Sequence, residues 1–160
     1  MTEQRSLSVY LNDHLAAATG GVELFRRAAG SHSGPLGDDL EQLLAEAVAD
    51  RDALKSLMAQ VDVRVNLPLT ALGWLGEKAG RLKPNGYVVR RSPLADVIEL
   101  EGLRLATYGK LACWRVLLGV AAHDDRIPTA ELEDLVARAE RQLAHLEALH
   151  LQVARDRLVG

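Results

Sequence analysis

One stretch near the end of the chain decides the fold class: residues 130–158 read AELEDLVARAERQLAHLEALHLQVARDRL. Within it Leu135, Ala139, Leu143 and Leu146 recur at intervals of three and four residues. This spacing places them on one face of an α-helix about 43 Å long. A helix of this kind needs neighbours to cover its apolar face, so the chain is expected to form a helical bundle.

The residues before this stretch show the same pattern. A helix is predicted at about 93–122, with Ser92 as its N-cap and Pro93 in the first helical position. Proline suits that position because its missing N–H would have no partner there. Only the short loop 123–129 separates this helix from the last one, so the two are expected to form an antiparallel hairpin.

Two further helical patterns occupy the first part of the chain, at about 7–29 and about 38–60. A loop rich in glycine, proline and serine joins them. Asp38, followed three residues later by Glu41, is typical of a capping box, so the second helix is expected to begin at Asp38. This pair is predicted to form a second antiparallel hairpin.

Residues 61–92, which join the two hairpins, differ in character. Pro68, Pro84, Asn85-Gly86 and three spaced glycines interrupt short apolar runs, which predicts a long connection containing one short helix. This connection can climb the whole bundle, which would make the second and third helices parallel. The sequence therefore predicts one all-α domain, residues 1–160: an antiparallel four-helix bundle with a long crossover between helices two and three.

The composition agrees with this fold. The chain has 160 residues, of which 48% are hydrophobic and only 4% aromatic, and this balance favours helices over a sheet. No apolar run approaches the roughly 18 residues that a membrane span needs, so no membrane partner is predicted. The net charge of -3 provides no general attraction to nucleic acid, which is therefore not expected as a partner.

The cysteine content indicates the redox environment of the protein. The single cysteine, Cys113, excludes a disulfide framework within the chain and a cysteine zinc cluster. It lies among apolar residues and has no histidine close to it in the sequence, so it is expected to be a buried structural thiol. The simplest interpretation is a reducing, cytoplasmic location.

One short motif suggests chemistry. The fourth helix contains Glu147-Ala148-Leu149-His150, a Glu-x-x-His sequence, and the third helix contains Glu101. With this motif and topology the chain resembles the ferritin-like superfamily, and more loosely its small bacterial members. That family takes a Glu-x-x-His from each of two helices and a Glu from each of the others to hold a metal pair. The resemblance implies iron or manganese held by Glu101, Glu147 and His150, with oxidase or peroxide-related activity.

The other half of the family pattern is missing. The second helix has Ala49-Asp50-Arg51-Asp52 where another Glu-x-x-His would stand, and the first helix offers His14 as its nearest inward polar residue. An arginine beside the site would repel a metal ion. We therefore expect a polar layer in the core, in which Arg51 pairs with Glu101 or Glu147, and His14 lies nearby.

A second candidate site lies in the crossover. Its basic residues outnumber the acidic ones, which would suit phosphate or an acidic partner, although such runs are usually solvated surfaces. The candidate anion-binding residues are Lys78, Arg81, Lys83, Arg90 and Arg91.

On these grounds the sequence favours a binding or interaction module without catalysis. The alternatives are the iron or manganese protein and an anion-binding regulator. A homodimer is also predicted, because the third helix is apolar on more than one face and a wide apolar surface must be covered. The short crossover helix could cover it instead. The residues beside the predicted inward stripe of Val97, Leu105 and Tyr108 are Leu100, Leu103, Leu111, Trp114 and Leu118.

Overall fold

The structure, a computed structural model, describes residues 3–66 and 93–159. Within these ranges it is all-helical and contains no strand, which confirms the predicted fold class. The segment 67–92, with the predicted crossover helix and the five candidate anion-binding residues, lies outside the described residues. The described residues form four helices: α1 (Glu3–Ser31), α2 (Gly34–Gln60), α3 (Pro93–Ala121) and α4 (Thr129–Leu158).

The start of α2 differs from the prediction. The helix begins at Gly34, so Asp38 is not its N-cap, and the residue before the helix, Ser33, makes no side-chain capping bond. Pro35 stands in the first turn, where its missing N–H is not needed. Gly34 has a positive φ of 66°, and a Cβ on Gly37 would lie 2.9 Å from the carbonyl oxygen of His32. The turn between α1 and α2 is tight because glycine stands at both positions.

Contacts between the helices fix their directions. The side chain of Gln4, near the start of α1, donates to the carbonyl oxygen of Val61 just after α2. Along α1 and α3, Gly21 faces Ala106 and His32 faces Asp96, so rising residue numbers on one helix meet falling numbers on the other. Both α2 and α3 are thus antiparallel to α1. They therefore run parallel to each other, the relation that the loop lengths predict.

The helices form a square in which α1 packs on α2 and α3, and α4 packs on α3. The fourth side, between α2 and α4, is more open. Apolar side chains form two clusters, one toward each end of the bundle. The cluster around Trp114 uses the start of α1 and the end of α2, and the cluster around Phe25 uses the opposite halves. Polar residues separate the two clusters at mid-height.

The end of the bundle near Trp114 is closed by side chains that bind backbone. The amide of Asn12, which is buried, donates to the carbonyl oxygen of Arg64 and accepts from the backbone N–H of Asn66. Arg126, in the loop between α3 and α4, donates to the carbonyl oxygen of Val61 and to Asp124. These bonds fasten the chain that leaves α2 to α1 and to the α3–α4 loop.

Within residues 3–66 and 93–159, no helix contains an apolar segment long enough to cross a membrane.

Candidate functional site

The three residues predicted to hold a metal meet on the outer side of α3 and α4. His150 is mostly buried, whereas the carboxylates of Glu101 and Glu147 are each more than half exposed. Arg104, which the sequence analysis does not include in this site, lies beside two of them. Its Nη1 is 3.0 Å from Nδ1 of His150, and its Nη2 is 3.2 Å from Oε1 of Glu147. Nε2 of His150 is 3.5 Å from Oε1 of Glu101.

The bond to Arg104 assigns the tautomer of His150. A guanidinium can only donate, so Nδ1 of the imidazole must accept. The proton of the neutral ring therefore lies on Nε2, which points toward Glu101 but is too far for a good hydrogen bond. Among the described residues, Nε2 of His150 and Nε of Arg104 are buried without a hydrogen-bond partner.

This geometry does not suit a metal ion. The Nδ1 lone pair of His150 already accepts from Arg104, and the arginine charge lies beside His150 and Glu147, where it would repel a cation. Within the part of the chain that the structure describes, no three His, Cys, Asp or Glu side chains are grouped so as to bind one. The fixed cation Arg104 binds His150 and Glu147, and Glu101 approaches the other nitrogen of His150.

The predicted layer around Arg51 is wrong. Arg51 is only partly buried, and its Nη2 lies 3.4 Å from Oδ1 of the adjacent Asp52 rather than near Glu101 or Glu147. Those two glutamates lie at the surface and not in the core. The ring of His14 packs instead against Tyr10, at a centroid distance of 4.5 Å.

A polar layer does cross the core, but other residues form it. We call it the Asp50 layer, and its members are Glu46, Asp50, Lys110, Arg138 and Gln142. Asp50 is 1% exposed, and each of its oxygens accepts two bonds. Oδ1 accepts from Arg138, with Nε at 2.7 Å, and Oδ2 accepts from Lys110 and from Gln142 at 3.1 Å. Gln142 also donates to Glu46 at 2.8 Å.

The charges of the Asp50 layer balance, with two carboxylates against two cations. Burial lowers the pKa of Lys110 from its ordinary value, because the ammonium loses water, and the nearby Asp50 carboxylate partly opposes this shift. The layer joins α2, α3 and α4, and its bonds from Glu46 and Asp50 to Arg138 and Gln142 link α2 to α4 across the more open side of the bundle. Because its groups are bonded to one another, it stabilises the arrangement of helices and offers little to a ligand.

Cys113 is buried, as predicted. Burial raises the pKa of its thiol to about 12, although a hydrogen bond with Tyr10 acts in the opposite direction. The same burial raises the pKa of Tyr10 to about 12. Since only the thiolate is a strong nucleophile, Cys113 is a structural side chain.

His14 provides a test of pH-dependent stability. Burial lowers its pKa below the ordinary value of 6.5, and the nearby Asp13 carboxylate only partly opposes the shift. Between the lowered pKa and 6.5 the unfolded chain binds a proton that the folded chain does not, so stability decreases as the pH falls through that window. We expect His14→Gln to weaken this dependence in urea unfolding from about pH 7 to about pH 5.

His123, exposed in the α3–α4 loop, supplies the matched control. His123→Gln should keep the wild-type dependence of the unfolding free energy on pH. An unchanged dependence in His14→Gln would contradict the assignment to His14.

The large exposed apolar side chains of the described residues are concentrated along α3. The stripe that the sequence assigns to the core faces water at Leu105, which is 73% exposed, and at Tyr108, which is 61% exposed. Leu100, Leu103 and most of the residues predicted beside the stripe are buried instead. We call this surface the α3 outer face, and its large members are Leu94, Ile98, Leu105, Tyr108, Val116 and Val120.

A shallow groove borders the α3 outer face at its centre. Leu105 and Tyr108 form one wall, and Leu143 of α4 contributes to the other. Glu101 and Arg104 supply its polar rim. The predicted metal ligand Glu101 thus borders an apolar surface.

Comparison with known proteins yields no matching family model, no matching curated protein and no matching solved structure.

Proposed function

We propose that this chain is an interaction module without catalysis and that the α3 outer face is its binding surface. One observation carries the proposal: more than half of the large apolar side chains exposed in the described residues lie in line on this one helix. Scattered apolar residues are normal on a protein surface, but a contiguous patch marks a site of interaction.

The dimensions of the face suit a helical partner. From Leu94 to Val120 it is about 39 Å long at 1.5 Å per residue. Its members are separated by three, four, seven or eight residues, which is the spacing that an amphipathic helix uses to dock along a partner. The groove beside Leu105 and Tyr108 can accept side chains from such a helix.

The polar residues of the described helices support a role without chemistry. Asp50 and Lys110 are bonded within the core, and Cys113 is a buried thiol of raised pKa. The cluster at His150 is built around an arginine. Each group is engaged in a bond that stabilises the fold, and this is the pattern of a structural module.

The finer parts of the sequence interpretation belong to the same proposal. The parallel directions of α2 and α3 and the antiparallel hairpins support a ferritin-like relationship. The position of Arg104 beside the candidate metal ligands supports the view that this chain is a member of that superfamily that no longer binds a metal. The single buried cysteine is compatible with a cytoplasmic location.

The test is binding of the apolar dye bis-ANS to folded protein at low micromolar concentration. We expect wild-type protein to enhance the dye fluorescence, and Leu105→Glu/Tyr108→Glu to lose most of that enhancement, because both charges would interrupt the apolar face at its centre. Circular dichroism should show that the variant keeps its helices, since both side chains are exposed in the wild type.

The matched control is Val9→Glu/Leu151→Glu, which changes two exposed apolar residues on other helices. It should enhance the fluorescence as strongly as the wild type does. Equal fluorescence from both double variants would contradict the proposal that α3 carries the surface.

A further inference from the structure

We infer that the α3 outer face binds a second copy of this chain, with α3 antiparallel to α3 about a twofold axis at the level of Thr107. This inference rests on the proposed function, since it names the partner of the same surface. A twofold dimer uses one surface twice, so that surface must complement itself when it is reversed. The α3 outer face meets this requirement in its apolar residues, its glycine and its charges.

Apolar residues face apolar residues in the reversed arrangement. Thr107 stands midway between Leu94 and Val120, so each of these lies opposite the other on the second copy. In the same register Ile98 lies opposite Val116 of the second copy. All four side chains are exposed in the single chain, between 38% and 50% of their surface. Pairing them removes apolar surface from water along the whole face.

The centre of the face combines a projecting leucine with an open glycine position. Leu105 projects most, at 73% exposure, and the reversed register places it opposite Gly109 of the second copy. Gly109 has no side chain and a Cβ added to it would meet nothing within 4 Å, so the space above it is open to the leucine. A leucine packed over a glycine lets two helices approach closely, as side chains of one helix do in the spaces of another.

The charges beside the face also complement each other when reversed. Glu101 and Arg115 lie on the side of α3 toward α4, and each is about half exposed. A twofold axis perpendicular to the helices brings this side of one copy against the same side of the other. Glu101 then lies within two residues, or about 3 Å along the axis, of the level of Arg115 on the second copy. A parallel arrangement brings opposite sides together and loses both ion pairs.

The size of the face sets the strength of the association. A strip about 39 Å long and about 10 Å wide is on the order of 400 Å² on each copy. The total of about 800 Å² lies in the range of weak and reversible complexes. The dimer is therefore expected to form at tens to hundreds of micromolar protein and to separate at low micromolar concentration, where the dye test is made.

The first experiment measures mass by light scattering over that concentration range. Wild-type protein should rise from the mass of a monomer toward that of a dimer, and Leu105→Glu should remain a monomer. The control variant Leu151→Glu, which changes an exposed apolar residue of α4, should show the same rise in mass as the wild type. A wild type that remains monomeric at hundreds of micromolar overturns the second copy as the partner. If the dye still binds through α3 in that case, the proposed function stands without it.

The second experiment tests direction and register with disulfides. Ile98→Cys and Val116→Cys are purified separately, mixed at high concentration and oxidised with glutathione disulfide. Cys113 can stay in place because its thiol is buried and of raised pKa. The mixed disulfide between the two variants should form several times faster than either symmetric disulfide.

A mixture of Leu94→Cys with Val116→Cys is the register control, because these positions stand about 6 Å out of register along the axis. It should cross-link more slowly than the first mixture. Predominance of the symmetric disulfides, or equal rates in the two mixtures, overturns the antiparallel register. If light scattering still shows a dimer that Leu105→Glu abolishes, the binding surface stands and only the register fails.

Discussion

Replacing Asp50 by alanine is expected to lower the free energy of unfolding by about 3 to 5 kcal/mol, because it leaves buried cations without their partner. Asp50 is 1% exposed and accepts from Lys110, Arg138 and Gln142. Arg138 can turn outward to water, but Lys110 is mostly buried, with 15% of its side chain exposed. The measurement is urea unfolding at neutral pH, followed by circular dichroism.

Two further variants distinguish an unpaired charge from lost packing. Asp50→Ala/Lys110→Met removes both charges and should recover much of the stability, since an apolar pair often replaces a buried ion pair without loss. Asp52→Ala, two residues away and exposed, should change the unfolding free energy by well under about 1 kcal/mol. A small effect of Asp50→Ala, similar to that of Asp52→Ala, would show that the layer is not a buried ionic network.

Replacing Trp114 by alanine is expected to cost about 3 to 5 kcal/mol, because it empties the largest buried side chain of one apolar cluster. Trp114→Phe should cost much less. Among the described residues, the indole Nε1 of Trp114 is buried without a hydrogen-bond partner. A buried donor without a hydrogen-bond partner is unfavourable. Removing the indole N–H should therefore offset part of the stability that is lost because phenylalanine is smaller than tryptophan.

The comparison of the two Trp114 variants is made by urea unfolding, with the midpoint and the slope fitted separately. An unchanged slope would show that both variants unfold from a similarly compact state. Equal losses from Trp114→Phe and Trp114→Ala would contradict the offset and would indicate a partner for the indole nitrogen.

Helical periodicity and short loops were enough to predict the helices and their pairing. The apolar spacing around Leu143 is maintained over many turns, and few other structures use it for so long. The ends of the helices are harder to predict than their existence. Asp38 has the sequence of a capping residue, but Pro35 and Gly34 begin the helix one turn earlier because they satisfy the geometry of a tight turn.

The polar layer was predicted one residue away from its position on α2. Each residue turns a helix by about 100°, so the step from Arg51 to Asp50 exchanges a partly buried side chain for one that is fully buried. The sequence around Asp50 does not indicate which lysine pairs with it in the folded chain. Lys110 comes from another helix, and only the packing of α2 against α3 and α4 brings it to Asp50.

The orientation of α3 was predicted incorrectly for a related reason. This helix carries apolar residues on two faces, and periodicity alone cannot say which face turns inward. Trp114 and Leu100 face the core, so the stripe of Leu105 and Tyr108 faces outward. Arg104 could have been suspected at the candidate metal site, because it follows Glu101 by three residues and helical residues at that spacing are neighbours.

The position of the Asp50 layer at mid-height also affects which misfolded bundles are available to this chain. A bundle of mainly leucine and alanine faces can slide one helix past another by a full turn with little loss of apolar contact. Here such a slip would move Asp50 away from Lys110 and Gln142 and into a cluster of leucines, where a carboxylate is unfavourable. The layer therefore fixes how far each helix is shifted along its neighbours, much as a single buried polar residue sets the register of a coiled coil.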